Sequence, residues 1–366
     1  MGGNSGFVNP EAADRSEPAA VLGFAQPRRS LFVVRMSPSP SPEFLDCFRR
    51  AAGAAGAVSF ERFMELALFE PGVGYYRREA RRVGYGADTD FYTASTSGPI
   101  FGELVAAAAA KLVRDHGGDP AALEFVEVGA ETAGGILEGV GHPFGSSRVL
   151  RLGDALDLRG ASVLFSNELF DAQPCRRFVR RGGAWLEAGV VEKDGALGEQ
   201  LLGPVSENWL PADAPDGYRF DAPRAAAALA ARLAAGAWSG LFLAFDYGKS
   251  LAELAHETPA GTVRAYHRHR QVTDLLAQPG QQDLTCHLCW DWIADALEGA
   301  SFLKPSLESQ ETFFVKHAGA HIAAEIEREA RGASPRKLAL VQLLHPAHLG
   351  RKFQVMHAWR AQPAAK

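Results

Sequence analysis

A chain of 366 residues, 47% hydrophobic and 22% charged, is long enough for two domains or one domain with a large insertion, and it can bury a sizeable core. A net charge of −5 argues against nucleic acid as the main partner. The most apolar stretch, residues 225–245, is broken by Arg232, Gly236 and Gly240, which excludes a membrane span. Four cysteines (Cys47, Cys175, Cys286 and Cys289) are too few for a disulfide framework and fit a reducing cytoplasm.

Residues 1–42 read as disordered or as an over-long start. They lack a secretory apolar core, mix Arg28, Arg29 and Arg35 with Glu11, Asp14 and Glu17, and close on Ser-Pro repeats after Met36. Residues 43–118 read as an N-terminal helical and lid region. Ser59 is placed to cap a helix carrying Phe60, Phe63, Met64, Ala67 and Leu68 at helical spacing. Residues 84–96 form a polar, glycine-containing loop with Asp88, Asp90 and Thr93, and residues 100–113 form an alanine-rich helix.

Residues 119–175 and 222–366 alternate strands with helices. Residues 123–129 make a buried strand that ends at Glu127 and Gly129, followed by a short helix over residues 136–140. Residues 148–152 make a strand ending at Gly153-Asp154-Ala155, and residues 162–165 one ending at Ser166-Asn167-Glu168. Residues 176–221 read as an inserted hairpin and loop, with strands over 176–181 and 184–192 joined by Gly182-Gly183. Arg176, Arg177, Arg180 and Arg181 suit a solvated edge strand better than a phosphate patch. Residues 225–235 form a helix and 241–245 a buried strand ending at Asp246. This alternation specifies an α/β open sheet, in which ligands bind outside the carboxyl ends of the strands. Glu127, Asp154, Asn167, Glu168 and Asp246 gather there.

Each group has a chemistry of its own. An acid ending the first strand can orient the glycine turn after it. Asp154 can accept from an exocyclic adenine amine while Ala155 leaves room for the ring. Asn167 and Glu168 offer an amide and a carboxylate, and a carboxylate pairs well with a planar guanidinium. Cys286-His-Leu-Cys289, with His267 and His269 upstream, has metal-like spacing, but a single Cys-x-x-Cys pair assigns no metal ligand set.

Several blocks resemble one family. They are Phe63-Met-Glu-Leu-Ala-Leu68, Pro71 with Gly74-Tyr-Tyr76, Asp90-Phe91 with Thr93, Phe101-Gly-Glu103, Asn167-Glu-Leu-Phe-Asp-Ala172 with Pro174, and Asp246-Tyr-Gly248. Arg264-Ala-Tyr266, His269, Pro279-Gly280, Asp283-Leu-Thr285 and Gly350 with Phe353-Gln-Val355 extend the series. The sequence is similar here to S-adenosylmethionine-dependent methyltransferases related to the mitochondrial complex I assembly arginine methyltransferase, which have many bacterial members. The resemblance spans about residues 58–357. It implies a class I (Rossmann-like) methyltransferase open twisted sheet with an N-terminal helical region and an inserted hairpin and helical region. It implies S-adenosylmethionine as cofactor, a protein as substrate or partner, and methyl transfer to arginine. Glu127, Gly129, Asp154, Ala155 and Asn167 would bind the cofactor. Glu168 and Asp171 would hold the guanidinium and accept its proton, with Asp90, Thr93, Asp246 and His269 on the substrate and lid side.

The chain departs from that pattern in its first half. The family's Glu-x-Gly-Pro-Gly-x-Gly becomes Glu127-Val-Gly129-Ala-Glu-Thr-Ala133, so two of the three glycines are lost. Gly129 to Asn167 spans only 38 positions, whereas two strands and three helices take on the order of 60. The strand at 148–152 resembles the third strand of the family, and residues 139–147 stand where the second should be. The family's Pro-Glu in the N-terminal loop is Ser95-Thr96. These losses support a second reading, a catalytically inactive homologue serving as a protein-binding or assembly factor; a zinc-stabilised module is a third.

Overall fold

The structure, a computed structural model, describes residues 40–78, 94–130, 132–329 and 334–362. Its centre is a six-stranded sheet built from β1 (Glu124–Val128), β2 (Ser146–Leu150), β3 (Arg159–Asn167), β4 (Ala237–Asp246), β5 (Ser306–Ser309) and β6 (Gln354–Arg360), in the order β5-β6-β4-β3-β1-β2. The β2-β1-β3-β4 half is parallel, and β6 and β5 add antiparallel strands. Helices cover both faces, which is why the central strands read as continuous apolar runs. On one face Phe125, Phe165, Leu243 and Phe245 pack against helix α3 (Pro99–Asp115) and against Phe313 and Phe314 of α6 (Gln310–His317). On the other, Val126, Leu164, Phe242 and Met356 meet α4 (Arg224–Ala234) and α5 (Trp290–Gly299).

The N-terminal helices α1 (Pro42–Ala52) and α2 (Phe60–Phe69) start at Ser41 and Ser59, whose hydroxyls accept from Phe44 and Arg62 N–H groups. They do not stand apart from the insertion. Between them the strand Ala57–Ser59 pairs antiparallel with Ala184–Lys193 and so joins the insertion's sheet. That sheet also contains Arg176–Arg181, Ala196–Val205 and Arg219–Ala222.

Three expectations change. The strand at 146–150 lies directly beside β1 and parallel to it, with Glu127 opposite Val149. It therefore occupies the place next to the first strand, not a third position further out, and it is the only strand between β1 and β3 among the described residues. Residues 136–140 form a turn rather than a helix, because Gly135 and Gly139 both adopt positive φ (70° and 71°). The arginine-rich strand is not a solvated edge: Arg176–Arg181 is flanked by Ala184–Lys193 on one side and Arg219–Ala222 on the other.

Arg177 shows why. Its guanidinium is buried and donates through Nε and Nη2 to the two carboxylate oxygens of Asp221, at 2.7 and 3.0 Å. Asp221 also accepts from the Thr262 and Val263 N–H groups at 2.6 and 2.9 Å. Burial pushes the Asp221 carboxyl up, but the Arg177 charge and these donors outweigh it and leave its pKa below the ordinary value. No helix among the described residues is long and apolar enough to cross a membrane.

Removing one partner of such a pair strands a buried charge. Asp221→Ala should lower unfolding free energy by about 3–5 kcal/mol in urea titrations. An Arg177→Met, Asp221→Leu double variant should recover most of that loss; equal destabilisation by both would show that the pair is not acting as a unit.

Candidate functional site

β3 and β4 end side by side, Asn167 opposite Phe245. The next residue, Asp246, is fully buried. Its Oδ2 accepts from the N–H groups of Phe170 (3.0 Å) and Asp171 (3.3 Å), and its Oδ1 accepts from that of Tyr247 (2.9 Å). One carboxylate thus pins the loop that follows β3. Burial, and then the Asp171 carboxylate, push the Asp246 pKa well above the ordinary value against the pull of these donors.

Glu168 enters that loop with φ of 51°, a region disfavoured for a residue with a Cβ. The strain is held by its N–H, which donates to Phe245 O at 2.9 Å, and Asn167 Nδ2 donates to Glu168 Oε1 at 3.0 Å. Asp171 is buried and hydrogen-bonds the Tyr247 side chain, which Thr285 also contacts. Burial, and then Asp171 and Glu168, raise the Tyr247 pKa well above its usual value. Of these three carboxylates only Glu168 is more than marginally exposed. The structure therefore brings Asn167, Glu168, Asp171 and Asp246 together and adds Tyr247 and Thr285.

A second group forms at the end of β1. Glu127 is buried, and its Oε2 accepts from the Ile136 N–H at 2.7 Å, fastening the turn after the strand. Gly102 of α3 packs on the same residue: a Cβ there would overlap the Ile136 carbonyl. Gly129 has φ of 81°, and a Cβ on it would lie 2.7 Å from Leu169 Cδ1. That glycine leaves room for a neighbouring side chain.

Between this turn and β2 lies a cavity of about 400 Å³, lined by Glu127, Ala133, Gly134, Leu137, Arg151 and Asp154 among others. Its size falls in the small-molecule range of roughly 300–1,000 Å³. Asp154 Oδ2 accepts from the Arg151 N–H at 2.7 Å, and Arg151 Nη2 donates to Ala133 O at 2.8 Å, so the two sides of the cavity are tied together. Among the described residues, Gly129, Ala155 and Asn167 do not line it.

The remaining expected residues lie elsewhere. Asp90 and Thr93 fall outside the described residues. His269 is exposed at the tip of a hairpin between Arg264–His267 and Arg270–Val272. It and Arg268 have φ of 60° and 47°, the positive values a two-residue type I′ turn demands. Cys286 and Cys289 are both buried, but in different apolar clusters, Cys286 with Cys175 and Cys289 with Trp292.

Residues 150–306 match the family described as "Putative S-adenosyl-L-methionine-dependent methyltransferase". Two solved structures from Burkholderia thailandensis are similar to this chain over 90% of its length. One, a candidate methyl transferase bound to S-adenosyl-homocysteine, is 28% identical, is covered over 97% of its own chain and superposes with a TM-score of 0.77. The other, an uncharacterized protein in native form, is 26% identical, is covered over 96% and has a TM-score of 0.74. No curated protein matches the chain. At 90% of the chain, the likeness to these two structures reaches beyond residues 150–306.

His287 borders the carboxylate group, its ring 5.7 Å from that of Tyr247. Its Nδ1 is buried without a hydrogen-bond partner. Burial, then the charges of Arg264 and Lys249, lower its pKa to about 4. The value lies below the unfolded one of about 6.5, so the contribution of the neutral ring is complete above that pH and is lost as pH falls towards 4. In an NMR titration the His287 ring should stay neutral until about pH 4; a midpoint near that of a free imidazole would contradict the burial argument.

Proposed function

We propose that this protein is an S-adenosylmethionine-dependent methyltransferase that acts on an arginine guanidinium of a protein substrate. The observation that carries this reading is the carboxylate group at the ends of β3 and β4, with Glu168 presented from a strained, firmly held loop. The cofactor supplies an electrophilic methyl when bound. What the protein must add is alignment of the nucleophile and a place for its proton.

Glu168 is the group to hold the guanidinium and take that proton as the nitrogen lone pair forms the new bond to carbon. A planar pair of N–H donors matches a carboxylate in a bidentate way. Asp171, closed off and bonded to Tyr247, acts as a positioning residue, and Asp246 fixes the loop through the N–H groups of Phe170 and Asp171. Asp246 and Asp171 are too buried to meet a substrate in this conformation.

Glu127 and Asp154 share a cavity of suitable size for the cofactor's polar groups, and Arg151 offers a cation for its carboxylate. Gly129, Ala155 and Asn167 fit as the supports of that site more than as its walls. The complex I connection of the resembling family remains part of this proposal only as a pointer to a protein substrate.

Calorimetry with S-adenosylhomocysteine should give micromolar or tighter binding, and a panel of arginine-containing proteins with labelled cofactor should reveal the acceptor. Glu168→Gln should lower kcat by at least about 100-fold, the scale of a lost acid–base group, while leaving cofactor affinity within about threefold. Absence of any binding heat or thermal shift with the cofactor would sink the enzyme reading and leave the inactive scaffold.

A further inference from the structure

The sheet edge opposite the cavity carries a constellation that methyl transfer does not use. In the β5–β6 pair Ser306 lies opposite His357 and Glu308 opposite Val355, which sets Glu308 and His357 diagonally on one face. The last turn of α6 lays His317 over them. Glu308 Oε2 and His317 Nε2 are 3.4 Å apart, and one donor atom from each of Glu308, His317 and His357 lies within 4.8 Å of the others.

All three side chains are nearly closed to solvent. Side-chain exposure is 12% for Glu308 and 5% for His317, and His357 is 9% exposed. Yet Glu308 Oε2, both ring nitrogens of His317 and His357 Nε2 lack a hydrogen-bond partner. The 3.4 Å approach between Glu308 and His317 is an ion-pair distance that is not aligned as a hydrogen bond. Buried polar atoms are nearly always satisfied, so three neighbouring side chains that each bring an atom with no hydrogen bond to one place call for a missing partner.

The surroundings hold the donors in place. Phe313 packs against His317 and His357, with ring centroids 5.0 and 5.8 Å apart. Lys316 takes the other oxygen of Glu308, Oε1, and leaves Oε2 facing the imidazoles. A contrasting cluster, Glu103 with His321 and Glu325, has its carboxylates occupied by Arg336, with Arg328 also on Glu325, and so has no donor atoms to spare.

We infer that Glu308, His317 and His357 form a binding site for a divalent transition metal, zinc above all. Two imidazole nitrogens and one carboxylate oxygen suit zinc, with bonds of about 2.0–2.2 Å, while magnesium and calcium prefer all-oxygen shells. Bonds of that length in a tetrahedron put donor atoms about 3.4 Å apart, the separation already present between Glu308 and His317. The third donor closes in by a rotation of the His357 ring, and water takes the fourth position. The metal would tie α6 and the edge strand β5 to β6, three strands away from β1. Its role there is to brace the sheet, distinct from the chemistry at the ends of β3 and β4.

The test uses the full chain. After chelation and dialysis, Zn2+ titrated by calorimetry should bind one ion per chain, and Co2+ should give the visible ligand-field bands of a four-coordinate site. Zn2+ should also raise the Tm. His357→Gln, and separately Glu308→Gln, should weaken Zn2+ binding by more than about 100-fold, beyond the 10–100-fold of an outer-shell change, and should abolish the Co2+ bands. Glu308→Gln keeps the shape of the side chain, and circular dichroism and S-adenosylhomocysteine binding report whether each variant is folded. Folded wild-type protein that takes up neither ion, or folded variants that bind like wild type, would overturn the site.

Discussion

Asp246 is the residue on which the functional end of the sheet depends. A single buried carboxylate receives three backbone N–H groups, two from the loop after β3 and one from its own strand end. Two connections that would otherwise be independent become one rigid piece. The positive φ of Glu168 is held by its own N–H bond to Phe245 O and by the pinned Phe170 and Asp171 that follow. The anion is solvated by peptide dipoles in place of water, and the cost of burying it appears as a raised pKa rather than as an unpaired charge.

The other end of the site is governed by close approach. Glu127 holds the N–H of Ile136 while Gly102 lets α3 come up against its carbonyl. Gly129 makes room for Leu169, which belongs to the loop that Asp246 pins. Strand end, turn, helix and loop are therefore linked by direct contact across β1 and β3, and the cavity and the carboxylate group are parts of one packed region.

Much of this was readable from residues alone. The strand ends at Glu127, Asn167 and Asp246 stood out because buried parallel strands are apolar runs closed by polar residues. The hairpin at Gly182-Gly183 and the cap at Ser59 followed from local chemistry. What could not be read depends on neighbours in space. The place of β2 beside β1 is a matter of strand order, to which periodicity is blind. The helix expected at 136–140 failed because four glycines, Gly134, Gly135, Gly139 and Gly141, surround a short apolar pair. Arg177 looked exposed because its partner, Asp221, lies 44 residues away. The same holds for His317 and His357, whose spacing resembles no metal motif and whose meeting is created by the register of β5 and β6.

The insertion also bears on how the chain assembles. β3 and β4 pair in parallel, although residues 168–236 lie between them, and joining such distant segments carries a loop-closure penalty before any contact rewards it. The insertion's strands meet mostly in sequential hairpins. Its first residue, Arg176, pairs directly with Ala222, just past its last. Once that meander has formed, its two ends are neighbours, and the separation that β3 and β4 must bridge shrinks to residues 168–175 on one side and residues 223–236, which carry α4, on the other. The inserted module thus acts as a staple that shortens the search for the central strand pair.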